Sequence, residues 1–207
     1  MIDLYSSPTP NGRKISIMLE ELSVDFNPIL VNLEKKEQFS HEFSKISPTN
    51  KIPVIVDNDN NQTVFESGAI LLYLAKKYHK FLNEDKYWEI IQWVFFQMAY
   101  VGPMLGQAHQ YLFYHPGKSK FAEDKTKGYA NHIYTILDKR LSKQEYFSDT
   151  YSIADISIWP WTARYERHQI NLHDYPNVLR WYKQISTRPA VIKGYNSVGE
   201  FYEIPKP

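Results

Sequence analysis

The apolar and polar residues of the first 80 positions alternate between the spacing of strands and the spacing of helices. Short apolar runs bounded by Pro, Gly, Asn and Asp predict strands over 2–5, 26–33, 54–56 and 63–65. Spacings of three and four predict a helix after Gly12, a short helix over 39–46 and a third from Ser67 onward. The first of these has one apolar face, formed by Ile15, Met18, Leu19 and Leu22. The predicted order is β-α-β-α-β-β-α, and Pro28 places the second strand at a sheet edge.

From residue 86 onward the spacing is helical. We expect one helix from 86 to Gly102, bent or broken at Pro103 before a continuation to Tyr114, and others over 122–141, after Ser152 and over 176–188. The tail after these helices has no clear pattern. Charged and polar residues fill 79–86, where the two patterns meet. We therefore predict two domains, 1–80 and 86–207.

Composition argues against several classes of function. The 207 residues include 24 Lys+Arg and 23 Asp+Glu, and a formal charge of +1 without like-charge blocks argues against nucleic-acid binding. Cysteine is absent, so the chain has no disulfides, no thiolate zinc site and no cysteine nucleophile. The 7 histidines lack metal-ligand spacing, so we expect no metal. No secretion signal or apolar run of about 20 residues occurs, so we expect a cytoplasmic protein without a membrane partner.

Two pairs of residues at strand and helix ends carry candidate chemistry. Pro53 follows Ile52 at the start of a strand, and only about 5–6% of X-Pro bonds are cis, so the residues alone favour a trans bond. Ser67 follows Glu66 at the start of a helix, where serine commonly caps free N–H groups. The same helix end could instead hold a ligand carboxylate, with Glu66 pairing a ligand ammonium.

Two further features have a structural and a functional interpretation. The loop from Thr9 to Gly12 follows the first strand, where open α/β sheets tend to bind ligands. The Thr9 hydroxyl and the Asn11 amide can donate to an anion, although a turn with a helix cap explains the same residues. Ser152 with Asp155 three residues later is an N-capping box, and capping accounts fully for that pair.

The order β-α-β-α-β-β-α followed by helices, with Pro53 at the third strand and Glu66-Ser67 at the third helix, resembles the cytosolic glutathione transferases. The resemblance covers essentially the whole chain. The resemblance implies an α/β thioredoxin-like N-terminal domain followed by an all-α C-terminal domain. The sequence is most similar to the bacterial nu class of that superfamily, known as glutathione-dependent disulfide-bond oxidoreductases. The matching segments are 3–5, 8–12, 46–48, 50–53, 65–74 and 102–107.

The resemblance gives Pro53 and its neighbours a role that differs from the prediction made from the residues alone. Pro53 is expected to be cis, which would present the backbone of Ile52 to the cysteinyl unit of glutathione, as an added strand does. Glu66 and Ser67 are expected to hold the γ-glutamyl amine and carboxylate.

The resemblance also implies contacts to the rest of the tripeptide. Gln38 and Lys51 are expected to reach its backbone or glycyl end, and Thr9 and Asn11 to face its sulfur. Lys125 stands where the nu class uses an arginine of the helical domain. Lysine keeps the charge of that arginine but lacks its two-pronged hydrogen bonding.

The implied activity is reduction of disulfides by the thiolate of bound glutathione, because the chain has no thiol of its own. One alternative is conjugation of glutathione to small electrophiles, or reduction of peroxides, by the same thiolate. Another is a non-catalytic glutathione-binding regulator. The resemblance further implies a homodimer.

Overall fold

The computed structural model describes all 207 residues and begins with a four-stranded sheet. Its strands are β1 (Ile2–Ser6), β2 (Phe26–Leu30), β3 (Val54–Asp57) and β4 (Gln62–Phe65), in the order β2-β1-β3-β4. Strand β1 runs parallel to β2 and antiparallel to β3, and β3 is antiparallel to β4. Pro28 therefore lies on an edge strand, as predicted, because proline cannot donate to a second neighbour.

Three helices follow the order predicted for the N-terminal region: α1 (Pro10–Leu22), α2 (His41–Ile46) and α3 (Ser67–Tyr78). Helix α1 begins three residues earlier than expected, because Thr9 caps it and Pro10 suits its first turn. Its apolar face is buried as predicted.

Five further helices lie between residues 87 and 186: α4 (Tyr87–Phe96), α5 (Gly102–Ala108), α6 (Lys120–Leu141), α7 (Ile153–Thr162) and α8 (Pro176–Ser186). Segments with π-helical hydrogen bonding, 97–101 and 109–114, link α4 to α5 and extend α5 to Tyr114. The expected break at Pro103 is thus a widened turn just before it, which accommodates a ring that would clash in a regular helix. No helix combines the length and apolar character needed to span a membrane.

The tail, for which the sequence predicts no regular structure, contains a ninth helix, α9 (Pro189–Tyr195). The chain divides into two compact units, and the tail from Ser186 to Ile204 belongs with Met1–Leu82. The second unit consists of Asn83–Ile185 and Pro205–Pro207. The predicted range 86–207 therefore includes a tail segment that packs in the first unit.

Helix α9 packs tightly against α1. A Cβ at Gly194 would lie 2.6 Å from the Cα of Ile17, so glycine permits the close approach. The Ser16 hydroxyl donates to the Gly194 carbonyl at 2.6 Å, and Arg13 Nε donates to the Tyr195 carbonyl at 3.0 Å. Since α9 covers a second side of α1, the helix is buried beyond the single face predicted, and Arg13 becomes a core residue.

A smaller apolar cluster lies where α2 meets the sheet. Tyr5 alternates with the fully buried Leu4 along β1, so their side chains point to opposite faces. The ring centroid of Tyr5 lies 6.3 Å from that of Phe43, which belongs to α2. Tyr5, Ile46 and Ile52 pack against the buried group Val31, Phe43 and Val54. Helix α2 therefore covers the sheet face that carries Tyr5.

Candidate functional site

A small polar pocket of about 150 Å³ lies in the first unit, where the chain enters β3 and α3. It is lined by Asn11, Thr49, Lys51, Ile52, Pro53, Glu66 and Ser67. Six of these seven residues were expected at the site, and the fold gathers them from three separate parts of the sequence. The lining carries one cationic and one anionic side chain, Lys51 and Glu66, which suits a group with both charges.

The Ile52–Pro53 peptide bond is cis. The resemblance had implied this, whereas the residues alone favoured trans. The β-ladder begins at Val54, which pairs with Tyr5 and Phe65. The backbone N–H and C=O of Ile52 therefore lie outside the ladder, at the wall of the pocket.

Glu66 has an unusual backbone conformation. Its φ of 68° lies in the left-handed region, where side chains with a Cβ are strained. Such strain costs about 1–3 kcal/mol and is typically kept at functional positions. The Glu66 side chain is exposed and lines the pocket.

Ser67 does not act as the cap predicted from its position. Glu66 occupies the N-cap of α3, no side chain caps that helix end, and Ser67 is its first helical residue. Ser67 is buried, and its hydroxyl oxygen accepts from the ammonium group of Lys14 at 3.1 Å. The positive end of the helix dipole and a serine hydroxyl thus meet at the pocket, an arrangement that favours an anion.

Lys14 lies in α1 and is only 1% exposed. Burial lowers the pKa of its ammonium group well below the usual value, while the negative charge of Glu66 acts in the opposite direction. A buried lysine is uncommon because removing the charge from water is costly.

Thr9 and Asn11 lie at the corner between β1 and α1. The Thr9 hydroxyl oxygen accepts from the Gly12 N–H at 3.1 Å, so the turn-and-cap interpretation of Thr9 is confirmed. Asn11 lines the pocket, whereas Thr9 is not among the lining residues. Gly12 is essential here, because a Cβ would lie 2.2 Å from the Ser7 carbonyl oxygen.

Besides Thr9, two expected residues lie outside the pocket lining. Gln38 belongs to a short 3-10 helix over 37–39, and its Oε1 is buried without a hydrogen-bond partner. Lys125 lies in the second unit on α6, where it is exposed. Its ammonium lies 5.6 Å from the ring centroid of Phe121 and 5.9 Å from that of Tyr129.

Sequence reasoning missed Thr49 and Lys14. Thr49 lies between two segments that carried the resemblance, 46–48 and 50–53, so its position was a usable signal. Lys14 precedes Met18 and Leu22 by four and eight residues, which places it on the buried stripe of α1. A lysine on an apolar stripe indicates a charge with a specific purpose.

The second unit contains the predicted capping box at the start of α7. The Ser152 hydroxyl accepts from the helix backbone, and Asp155 accepts from the Ser152 N–H at 3.0 Å. Asp155 also accepts from the Phe147 N–H at 3.1 Å and from Trp181 Nε1 at 2.9 Å. Burial raises the pKa of Asp155 to about 6, although these donors favour its ionised form. The structural interpretation of this pair is confirmed.

Comparison with protein families gives two matches. The model of the glutathione S-transferase N-terminal domain matches residues 1–76, and that of the C-terminal domain matches 100–189. Disulfide-bond oxidoreductase YfcG of Escherichia coli is 44% identical over 198 residues, which cover 92% of this chain and 92% of that protein.

Two solved structures have closely similar folds. A glutathione transferase from Pseudomonas putida, with one glutathione disulfide bound per subunit, has a TM-score of 0.89 at 36% identity and covers 94% of this chain and 90% of that one. A glutathione transferase from Burkholderia graminis, with two glutathione molecules bound per subunit, has a TM-score of 0.89 at 38% identity. That match covers 95% of this chain and 88% of the other.

Proposed function

Because this chain belongs to the glutathione S-transferase family, we propose that it is a glutathione-dependent disulfide-bond reductase. The observation that carries the proposal is the pocket that joins Asn11, Ile52, Glu66 and Ser67 in a chain without cysteine. The net reaction consumes one disulfide and two glutathione molecules and yields two thiols and glutathione disulfide. The reducing thiols therefore come from the tripeptide.

The pocket residues bind the γ-glutamyl end of glutathione in this proposal. The Glu66 carboxylate pairs with the ligand ammonium, and Ser67 with the α3 helix end holds the adjacent carboxylate. The backbone of Ile52 pairs with the cysteinyl unit as a short added strand. In the same proposal, Gln38 and Lys51 contact the backbone or the glycyl end of the tripeptide.

Thr9 and Asn11 act on the sulfur by donating hydrogen bonds that favour the thiolate. A shift of the thiol pKa from about 8.5 to about 6.5 would raise the thiolate fraction at pH 7 about 25-fold. The nucleophilicity of that thiolate falls about 6- to 10-fold over the same shift. The net gain is about 3-fold, so thiolate formation alone is a small part of catalysis.

Orientation of the reacting sulfurs offers more, since good alignment is worth about 7–11 kcal/mol. The Burkholderia graminis relative was crystallised with two glutathione molecules per subunit and the Pseudomonas putida relative with one glutathione disulfide. A site of that capacity here would bring the two required thiols together. Holding them in line is the main contribution we assign to this protein.

Reduction of 2-hydroxyethyl disulfide by glutathione tests the proposal. We expect turnover well above the uncatalysed background, with Asn11→Ala slowing it while leaving the thermal unfolding temperature unchanged. A rate equal to background would contradict the proposed function. An Asn11→Ala enzyme as fast as the unchanged protein would contradict the role of Asn11. Strong conjugation of chlorodinitrobenzene with negligible disulfide reduction would instead support the alternative transferase activity.

We further propose that the protein is a nu-class homodimer. In support, the second unit carries large aromatic side chains in water: Trp88 is 73% exposed and Phe95 64% exposed. They lie seven residues apart on α4 and so share one face of the helix. Phe121, at the start of α6, is 76% exposed. Sedimentation should give a dimer, and Phe95→Glu should shift it toward the monomer.

The proposed reaction also suggests where the protein works. Reduction of disulfides by glutathione requires a compartment in which glutathione is kept reduced, so we propose the cytoplasm. Fractionation of cells that express the protein at its natural level should find it there.

A further inference from the structure

Lys14 is a buried charge that the proposed binding contacts leave unused. It lies on α1, is 1% exposed, and its ammonium group lies 3.1 Å from the hydroxyl oxygen of Ser67. Ser67 lines the pocket, so Lys14 stands directly behind the pocket wall. An ammonium group can only donate hydrogen bonds, and the Ser67 oxygen is therefore the acceptor.

The surroundings of Lys14 make its charge sensitive to an anion in the pocket. Burial disfavours the charged form and lowers its pKa, whereas the carboxylate of Glu66 raises it. A ligand carboxylate beside Ser67 would act in the same direction as Glu66. A ligand ammonium that pairs with Glu66 would neutralise the negative charge that Glu66 otherwise presents to Lys14. The ligand carboxylate would then supply a negative charge near Lys14 in its place.

The polarity of the hydrogen bond strengthens this arrangement. A hydroxyl that accepts from a cation becomes a better donor, because hydrogen bonds in a chain polarise one another. Ser67 thus transmits the charge of Lys14 toward the pocket while the ammonium stays out of water. The end of α3 adds its positive dipole at the same place.

We infer that Lys14 is a positioning residue that acts through Ser67 to select the α-carboxylate of the γ-glutamyl group of glutathione. The inference rests on the proposed function. A purely structural role, in which Lys14 only joins α1 to α3, is the competing explanation. The two differ in one respect: only selection depends on the ligand carboxylate.

A comparison of two ligands on two variants separates these explanations. The ligands are reduced glutathione and γ-aminobutyryl-cysteinyl-glycine, which has hydrogen in place of the α-carboxylate. The variants are Lys14→Met, which removes the charge but keeps an apolar chain, and Lys76→Met, which removes an exposed lysine of α3. Binding is measured by calorimetry, and folding is checked by thermal unfolding.

We expect Lys14→Met to weaken glutathione binding by about 10- to 100-fold, the range for a hydrogen bond to a charged group. Its binding of the analogue should change less than about 2-fold, since the group that Lys14 serves is missing. Lys76→Met should match the unchanged protein with both ligands. If Lys14→Met does not fold, Lys14→Gln replaces it, because glutamine keeps a polar group without the charge.

Equal losses for both ligands would overturn the inference and leave Lys14 a structural role. Unchanged binding of glutathione would overturn it as well. Failure of the unchanged protein to bind glutathione at all is a separate result, which would contradict the proposed function.

Discussion

The hydroxyl oxygen of Thr9 accepts a hydrogen bond from the backbone N–H of Gly12 at 3.1 Å. This contact satisfies one of the first-turn donors of α1. Because the oxygen is the acceptor, the hydroxyl hydrogen of Thr9 can be donated to a ligand sulfur. One side chain thus serves both the fold and the proposed chemistry.

Replacing Thr9 tests these two roles together. Thr9→Val keeps the shape but loses the cap, which should lower the free energy of unfolding by about 1 kcal/mol and also slow disulfide reduction. Thr9→Ser keeps the hydroxyl and should retain most of both. Denaturant unfolding and the 2-hydroxyethyl disulfide assay measure the two effects. If Thr9→Val lost stability but kept its rate, Thr9 would be a cap only.

Glu66 should show a conflict between stability and binding. Its φ of 68° strains a residue with a Cβ, and Glu66→Gly removes the Cβ. We expect Glu66→Gly to be up to about 1 kcal/mol more stable than Glu66→Ala, which keeps the strain. Both variants should bind glutathione much more weakly, because both lose the carboxylate. Equal stability of the two variants would show that the backbone at this position is relaxed.

Asp155 should be far more important for stability than an exposed aspartate. Asp155→Asn turns an acceptor oxygen into a donor that faces the Ser152 N–H or the Phe147 N–H and Trp181 Nε1. We expect a loss of about 2–4 kcal/mol in the free energy of unfolding at pH 7. Asp124→Asn, which breaks an exposed pair with Lys120, should change it much less, because water screens that pair. Similar losses for both would contradict the role of burial.

His109 and His168 should make the protein less stable in acid. They are buried and stacked, with ring centroids 4.8 Å apart and planes at 17°. Burial lowers the pKa of His109 to about 4, and burial also lowers that of His168 well below its ordinary value. Below about pH 6.5 both imidazoles become protonated in the unfolded chain but stay neutral in the folded chain. The free energy of unfolding therefore falls as the pH falls. Asp155, whose pKa is raised to about 6, takes up one proton on the folded side and partly offsets this loss.

Replacing one histidine isolates its contribution. His168→Gln should flatten the dependence of unfolding free energy on pH by up to about 1.4 kcal/mol per pH unit between pH 6 and 5. The contribution of Asp155 cancels in this comparison. His173→Gln changes an exposed histidine and should leave the slope unaltered. A His168→Gln slope equal to that of the unchanged protein would mean that His168 titrates normally when folded.

Replacing Lys125 with arginine should strengthen glutathione binding. If it contacts glutathione as the resemblance implies, Lys125→Arg restores two-pronged hydrogen bonding and should tighten binding several-fold, while Lys125→Ala should weaken it. Lys127→Ala, which removes a neighbouring exposed lysine, is the control. Calorimetry measures all three variants. Equal affinities of Lys125→Arg and Lys125→Ala for glutathione would exclude the contact.

Local patterns predicted most elements of the fold. Pro28 marked an edge strand, the four apolar residues of α1 marked its buried face, and Ser152 with Asp155 marked the start of α7. These features depend on neighbours within a few residues, so the sequence contains them directly. The first turn of α8 shows the limit: its N–H groups at Asn177 and Val178 donate to Asp138 at 2.8 and 3.1 Å, a side chain 39 and 40 residues away.

The resemblance to a known family named most residues of the candidate site. Local sequence rules alone did not predict their conformations or contacts. Glu66, Ser67 and Asn11 were expected because their segments matched, whereas residue frequencies alone favoured a trans Pro53 and a capping Ser67. The hydrogen bond that the Ser67 hydroxyl accepts comes from Lys14, 53 residues earlier in the chain, which no local rule predicts.

The amino-acid sequence by itself determined the order of elements as far as α8, the absence of any protein thiol and hence the need for a reagent from outside. Only the tertiary structure decided which charges are buried, that the tail joins the first unit, and which lining residues share one pocket. The physical reason is that propensity and periodicity act over a turn or two of chain. The burial and the electrostatic environment of a residue depend on which residues of distant segments pack against it.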